Sequence, residues 1–310
     1  MPVTASGEQQ PPPQSGFIER QGVRLHSLDW GGQGAPLVWL HGLGYTAQIF
    51  REIAPAFLPH HRVLALTRRG HGLSDWPADG YSVALLTADV AAFIRALDLH
   101  GVILVGHSIA GNELTALAGL LPERIAALVY LDAALNRAGV AERIRLDPVK
   151  PQSPTFAMET VADARRLGQQ RRDGFWNDAL EANLRDSVRC DQAGRLRGDP
   201  APGPALVMLA QEEHVPHYQG VRCPALALYA TYTENTPHWG LEVETNDEVR
   251  RAAAQFMREV MQPWQRASIE RFRREVPQAK IVEWPDAHHD LHLYERDRVV
   301  TEIQDFLDDL

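Results

Sequence analysis

Ser108 stands where a nucleophilic hydroxyl would be placed. Residues 102–105 form a β-branched, apolar run that breaks into Gly106-His107-Ser108-Ile109-Ala110-Gly111 before a helical pattern begins. A serine flanked by small residues on a sharp strand-to-helix turn is held clear of the backbone. The helix that follows offers unpaired amides and a partial positive charge to an oxyanion. The plain alternative is a helix-capping serine in an ordinary turn. A serine hydroxyl attacks only when a base takes its proton and a carboxylate orients that base.

The base is sought in Asp286-Ala287-His288-His289-Asp290-Leu291-His292-Leu293, between a final strand and a final helix. A loop there reaches the carboxyl edge of the sheet, where Ser108 also belongs. His289 is the first choice, then His288 and His292. The same cluster is a candidate metal site. No second ligand group with helical histidine spacing accompanies it, so no metal is expected. For the acid, Asp132 ends the apolar run 128–131, which a single helix separates from the nucleophile strand, so the two strands should be neighbours. Glu234, after the run 225–229, is the alternative acid.

An acyl-transfer site also needs donors for the oxyanion. His41-Gly42-Leu43-Gly44 follows the apolar run 37–40, and its glycines let amides point inward. The N–H groups of Leu43 and Ile109 would converge on one oxygen, each lowering the barrier by about 3 kcal/mol. The plain alternative is a glycine-rich turn. Gly70-His71-Gly72 fits a structural role beside the elbow, since no phosphate-binding glycine signature follows a strand. Trp176, Tyr218, Tyr232 and Trp239 are candidate pocket aromatics, although such residues more often fill a core.

These side chains need a scaffold. Short apolar runs at 37–40, 63–66, 102–105, 128–131, 225–229 and 280–284 alternate with helical patterns, which predicts a mostly parallel sheet flanked by helices. Their lack of polar alternation suits strands covered on both faces. Residues 24–30 read as an earlier strand that pairs antiparallel, and residues 49–58 read as a helix. The alternation fails between residues 136 and 215, which are charged and helix-prone, with one candidate strand at 205–209. The pattern therefore divides the chain into a disordered Pro/Gln-rich tail (1–15), an α/β core (16–135 and 216–310) and a helical cap (136–215). A long amphipathic stretch, 247–276, is expected to break at Pro263.

The formal net charge of −9 leaves no basic surplus for a non-specific nucleic-acid binder. No apolar run is long enough to span a bilayer, so no membrane partner is expected. Neither a secretory signal nor a disulfide framework is visible, and the chain is expected to be cytoplasmic with Cys190 and Cys223 as free thiols.

Taken in order, the His41-Gly42-Leu43-Gly44 loop, the Arg69-Gly70-His71-Gly72-Leu73-Ser74 loop, the Gly106-His107-Ser108-Ile109-Ala110-Gly111 elbow and the His289 loop resemble the α/β-hydrolase superfamily. The resemblance spans the chain except its tail and insertion. It implies Ser108 as nucleophile, His289 as general base, and Leu43 and Ile109 as the oxyanion hole. The family's usual acid follows the strand at 225–229, where this chain has Thr233. Some relatives carry the acid one strand earlier, and Asp132 matches them. A serine nucleophile disfavours the dehalogenase and epoxide-hydrolase branches. The expected activity is a cofactor-free, carboxylesterase-like hydrolysis of small, largely apolar esters or lactones. A carbon–carbon bond hydrolase or a cofactor-free haloperoxidase-like enzyme would use the same residues. A non-catalytic small-ligand receptor of this fold is the third reading. The expected partner is a small-molecule substrate; the oligomeric state stays open.

Overall fold

The structure, a computed structural model, describes residues 12–149, 157–197, 203–212, 214–234, 236 and 246–310. Among these, eight strands form one sheet: β1 (Gln14–Arg20), β2 (Val23–Gly31), β3 (Pro36–Leu40), β4 (Arg62–Leu66), β5 (Val102–His107), β6 (Ile125–Leu131), β7 (Ala225–Thr231) and β8 (Lys280–Pro285). Their order is β1-β2-β4-β3-β5-β6-β7-β8. β1 and β2 pair antiparallel, as do β2 and β4; every later pairing is parallel.

The inner strands are apolar on both sides because both sides are covered. Val38, Leu40, Leu104, Leu128 and Tyr130 share one core with residues of α1 (Val83–Ala96), α2 (Ala110–Leu120) and α8 (Gln262–Glu275). The alternate residues Leu37, Trp39, Ile103, Val105 and Val129 share the other with the 3₁₀ turns Ala47–Phe50 and Ala54–Phe57 and with α10 (Arg296–Asp308). Each fully buried Leu, Val or Phe contributes about 1.5–3 kcal/mol relative to exposure. The chain leaves β3 for β4 on one side, then crosses by α1 to β5 on the other. That reversal of strand order opens a crevice at the carboxyl ends of the strands.

Four helices lie between β6 and β7: α3 (Val140–Leu146), α4 (Val161–Gln170), α5 (Asp178–Ser187) and α6 (Gly203–Glu212). They touch the core at its carboxyl edge. Asn183 of α5 accepts hydrogen bonds from the amide (2.8 Å) and hydroxyl (3.1 Å) of Thr46, just past the His41–Gly44 turn. Gly203 lies so close to Gly70 that a Cβ there would strike the Gly70 backbone. Val207 of α6 packs with Ile109, Tyr81 and Leu86.

The structure corrects several expectations. Gln14 and Ser15 are not tail but the start of β1, paired with Asp29 and Leu28. Backbone pairing needs no apolar side chains, and Gln21 and Gly22, both with positive φ, turn the hairpin tightly. Residues 1–11 lie outside the described residues. Residues 205–209 are helical within α6; a short apolar run does not distinguish strand from helix. Residues 49–58 form separate 3₁₀ turns, the second beginning at the Ala54-Pro55 step. Pro263 does not break the 247–276 stretch. α7 (Asp247–Phe256) runs through a π-helical turn, Met257–Met261, into α8, and Pro263 falls in the first turn of α8, a position that tolerates its missing N–H. Cys190 and Cys223 are free thiols. Among the described residues, no helix is long and apolar enough to cross a membrane.

Candidate active site

The β5–β6 register brings the site together. His107 pairs with Leu131, so the next residues, Ser108 and Asp132, leave adjacent strands at the same level. Both turn out of the sheet with left-handed backbones, φ 57° for Ser108 and 46° for Asp132. Each such residue costs on the order of 1–3 kcal/mol and persists only where its surroundings over-determine it. Those surroundings are visible. The Ser108 amide donates to Leu131 O (3.1 Å) and the Asp132 amide to Leu228 O (2.7 Å). Gly106 and Gly111 leave no room for a Cβ, which would strike Leu114 in the first case and the Ala133 carbonyl in the second.

His289 arrives from the loop between β8 and α9 (Leu291–Tyr294). Its Nε2 lies 2.9 Å from Ser108 Oγ and its Nδ1 lies 2.5 Å from Asp132 Oδ2. A carboxylate beside Nδ1 fixes the proton there, which leaves Nε2 as an acceptor for the serine proton. Asp132 is buried and its other oxygen accepts from the Ala230 amide (3.3 Å). The carbonyl of His289 accepts from His107 Nε2 (3.1 Å), so the residue before the serine steadies the residue that faces it. Burial, with further depression from His292 and His289, pushes the His107 pKa well below that of an ordinary imidazole, consistent with a neutral ring that donates through Nε2.

The His41–Gly44 turn approaches from β3. A Cβ on Gly42 would enter the His107 ring and stand 3.2 Å from Ser108 Cβ, so glycine is required for the approach. His41 braces this turn. Its Nε2 accepts from the Arg68 amide (3.0 Å) and its Nδ1 donates to Gly42 O (2.7 Å). Leu43 follows Gly42, and Ile109 follows Ser108 at the start of α2. Among the described residues, neither of these two amides has an acceptor.

Most of the remaining candidates fall elsewhere. His288 stacks on Tyr294 (centroids 3.8 Å apart), and His292 is buried beside Phe50 and His107. Among the described residues, no group of three or more His, Cys, Asp or Glu side chains is arranged to hold a metal ion. Glu234 is exposed and the structure does not bring it to Ser108 or His289. Its neighbour Thr233 donates to Asp286 (2.7 Å). Tyr232 lies close enough to Asp132 and Arg137 to feel both charges, while burial raises its pKa. Tyr218 is core, edge-on to Phe272. Trp176 packs on Gly168 and donates to Glu181 (3.2 Å), within the inserted helices. Trp239 lies outside the described residues.

Sequence reasoning did not single out two features. Arg137, from the loop after β6, extends Nη2 to within 3.2 Å of Ser108 Oγ. Behind His289, Tyr45 donates to the buried Asp290 (2.6 Å) and Arg172 donates to the Tyr45 hydroxyl (3.1 Å). No spacing rule links residues from such distant segments. The only sequence signal for Arg137 is a lone basic residue just beyond Asp132.

Residues 37–302 match the model of the alpha/beta hydrolase family. The chain belongs to that family. A non-heme chloroperoxidase from Streptomyces lividans is 40% identical over 115 residues, 36% of this chain and 42% of that protein. The aligned stretch is thus less than half of that relative. Non-heme chloroperoxidase CPO-A1 from Kitasatospora aureofaciens is 31% identical over 195 residues, 56% of this chain and 70% of that one. The crystal structure of E-2-(acetamidomethylene)succinate hydrolase superposes with a TM-score of 0.73 at 19% identity, covering 96% of this chain and 99% of that one. This last likeness speaks for the alpha/beta hydrolase fold alone.

Proposed function

We propose that this alpha/beta hydrolase is a serine hydrolase that cleaves small carboxylic esters or lactones through an acyl-enzyme. The observation that carries the reading is the relay Asp132–His289–Ser108, with contacts of 2.5 and 2.9 Å among residues far apart in sequence. In this reading His289 Nε2 takes the Ser108 proton as Oγ bonds to the carbonyl carbon. Asp132 stabilises the imidazolium. The tetrahedral oxygen is received by the amides of Leu43 and Ile109. His289 returns its proton to the leaving alkoxide as the C–O bond breaks. Water then gives a proton to His289 and attacks the acyl-serine, and His289 passes that proton to Ser108 Oγ as the acyl C–O bond breaks and the acid leaves.

The helices between residues 136 and 215 act in this proposal as a cap over the carboxyl edge, with Tyr232 beside the reacting groups. A panel of short acyl methyl and aryl esters, assayed with wild type and Ser108→Ala, tests the reading. Turnover that vanishes in the variant is expected; equal rates for both proteins would sink it. A second reading draws on the relatives named non-heme chloroperoxidase. The same acyl-enzyme taken by hydrogen peroxide instead of water would release a peracid, and peroxide-dependent, Ser108-dependent halide oxidation in a carboxylate buffer would mark it.

A further inference from the structure

Arg137 is an unusual neighbour for a nucleophilic serine. Its backbone is held on several sides. The Asn136 amide donates to Ser268 Oγ (3.3 Å), Trp264 Nε1 donates to Asn136 O (2.6 Å), and Arg143 donates to the carbonyls of Arg137 (3.2 Å) and Ala138 (3.0 Å). Arg143 itself lies over the Trp264 ring, 4.6 Å from its centroid. The guanidinium is therefore placed by its loop rather than left to solvent. Of its five N–H groups, one contact goes to Ser108 Oγ, and Nε is buried without an acceptor. Among the described residues, no carboxylate lies within ion-pairing distance of it. Burial lowers its pKa from the ordinary guanidinium value, only partly offset by Asp132, Tyr232 and Tyr218.

An unpaired, desolvated cation is costly to maintain. Nε and Nη2 form one edge of the guanidinium, the edge that takes a carboxylate with two parallel hydrogen bonds. Resting on the serine-hydrolase reading above, we propose that Arg137 is a specificity-determining residue that binds a carboxylate on the substrate. The preferred substrate is then a monoanionic ester whose carboxylate sits a few carbons from the scissile carbonyl, such as a half-ester of a short dicarboxylic acid. This replaces the largely apolar substrate expected from sequence. The contact to Ser108 sets the short spacing, because an anion on this edge lies next to the attacked carbon.

The test compares monomethyl succinate (carboxylate on the acyl side) and acetoxyacetate (carboxylate on the alcohol side) with neutral methyl butyrate, in wild type, Arg137→Gln and Arg137→Lys. A charge-assisted contact of this kind predicts a preference in kcat/KM of about 10- to 100-fold for one monoanion over the neutral ester. Arg137→Gln should lose at least ten times more of its kcat/KM on that monoanion than on methyl butyrate, chiefly through KM, and Arg137→Lys should recover part of the difference. Wild type that favours the neutral ester, or a variant that loses both activities equally, overturns the proposal while the hydrolase reading stands. Calorimetry on Ser108→Ala, with and without Arg137→Gln, decides the point without turnover. Tighter binding of the monoanion that depends on Arg137 supports the proposal even if no ester is cleaved. Equal binding of monoanion and neutral ester overturns it.

Discussion

In the proposed mechanism Asp132, 2.5 Å from His289 Nδ1, fixes the proton there and faces the positive charge that His289 acquires. Asp132→Asn would keep the shape and invite the wrong imidazole tautomer, so kcat should fall by about 10⁴-fold with little change in KM. Glu234→Ala should change kcat/KM less than about twofold, as expected for an exposed side chain away from special features. Steady-state kinetics on one chromogenic ester checks both; a large effect at Glu234 with a small one at Asp132 would reverse the assignment. That Ser108 and His289 would meet was legible because a strand-to-helix elbow and a histidine loop each have a local pattern. The placement of Asp132 beside them was legible because neighbouring strands must end together. Arg137 was not, because its meaning lies in where the guanidinium goes, and a long flexible side chain leaves no periodic trace.

The elements hold these residues by close approach and by buried ion pairs, Arg68–Glu113 among them. Gly111, in the first turn of α2, packs against the carbonyl of Ala133, next to Asp132. Gly111→Ala should push α2 away from the exit of β6 and cost about 1–3 kcal/mol, read as a lower urea midpoint with unchanged slope. The same shift should lower kcat, because it moves Ser108 against Asp132. Arg68, in the loop after β4, meets Glu113 of α2 at 2.8 Å, both nearly inaccessible. Glu113→Gln leaves the Arg68 charge uncompensated and should destabilise by about 3–5 kcal/mol, whereas replacing both partners with apolar residues of similar volume should cost less. Neither contact was visible beforehand. The spacing of glycines announces tight turns, but which backbone they meet is decided by packing between segments distant in sequence.

Across the whole molecule, buried histidines make stability depend on pH. His26, His71 and His292 are buried, and burial pushes each pKa down to about 4 from 6.5. The unfolded chain therefore binds more protons than the native one between these values, and stability falls as pH drops through that window. The stabilisation is fully present above about pH 6.5, and each ring contributes a slope of up to about 1.4 kcal/mol per pH unit within the window. Urea unfolding should show a nearly level midpoint above pH 7 and a steep fall toward pH 4. His292→Leu should lessen that slope, and a slope unaltered by the substitution would count against this source. The parallel core was readable from apolar runs because strands covered on both faces lack polar alternation. The edge strand β1 escaped notice for the complementary reason: its polar residues, such as Gln14 and Ser15, pair through backbone alone.

Labelling of Ser108 by a fluorophosphonate, followed by intact-mass and peptide analysis, reaches the heart of this account. The native protein should take up one equivalent rapidly, on Ser108, with the rate falling by orders of magnitude in His289→Ala. A native protein that stays unlabelled, or a His289→Ala variant labelled as fast as the native one, would contradict it.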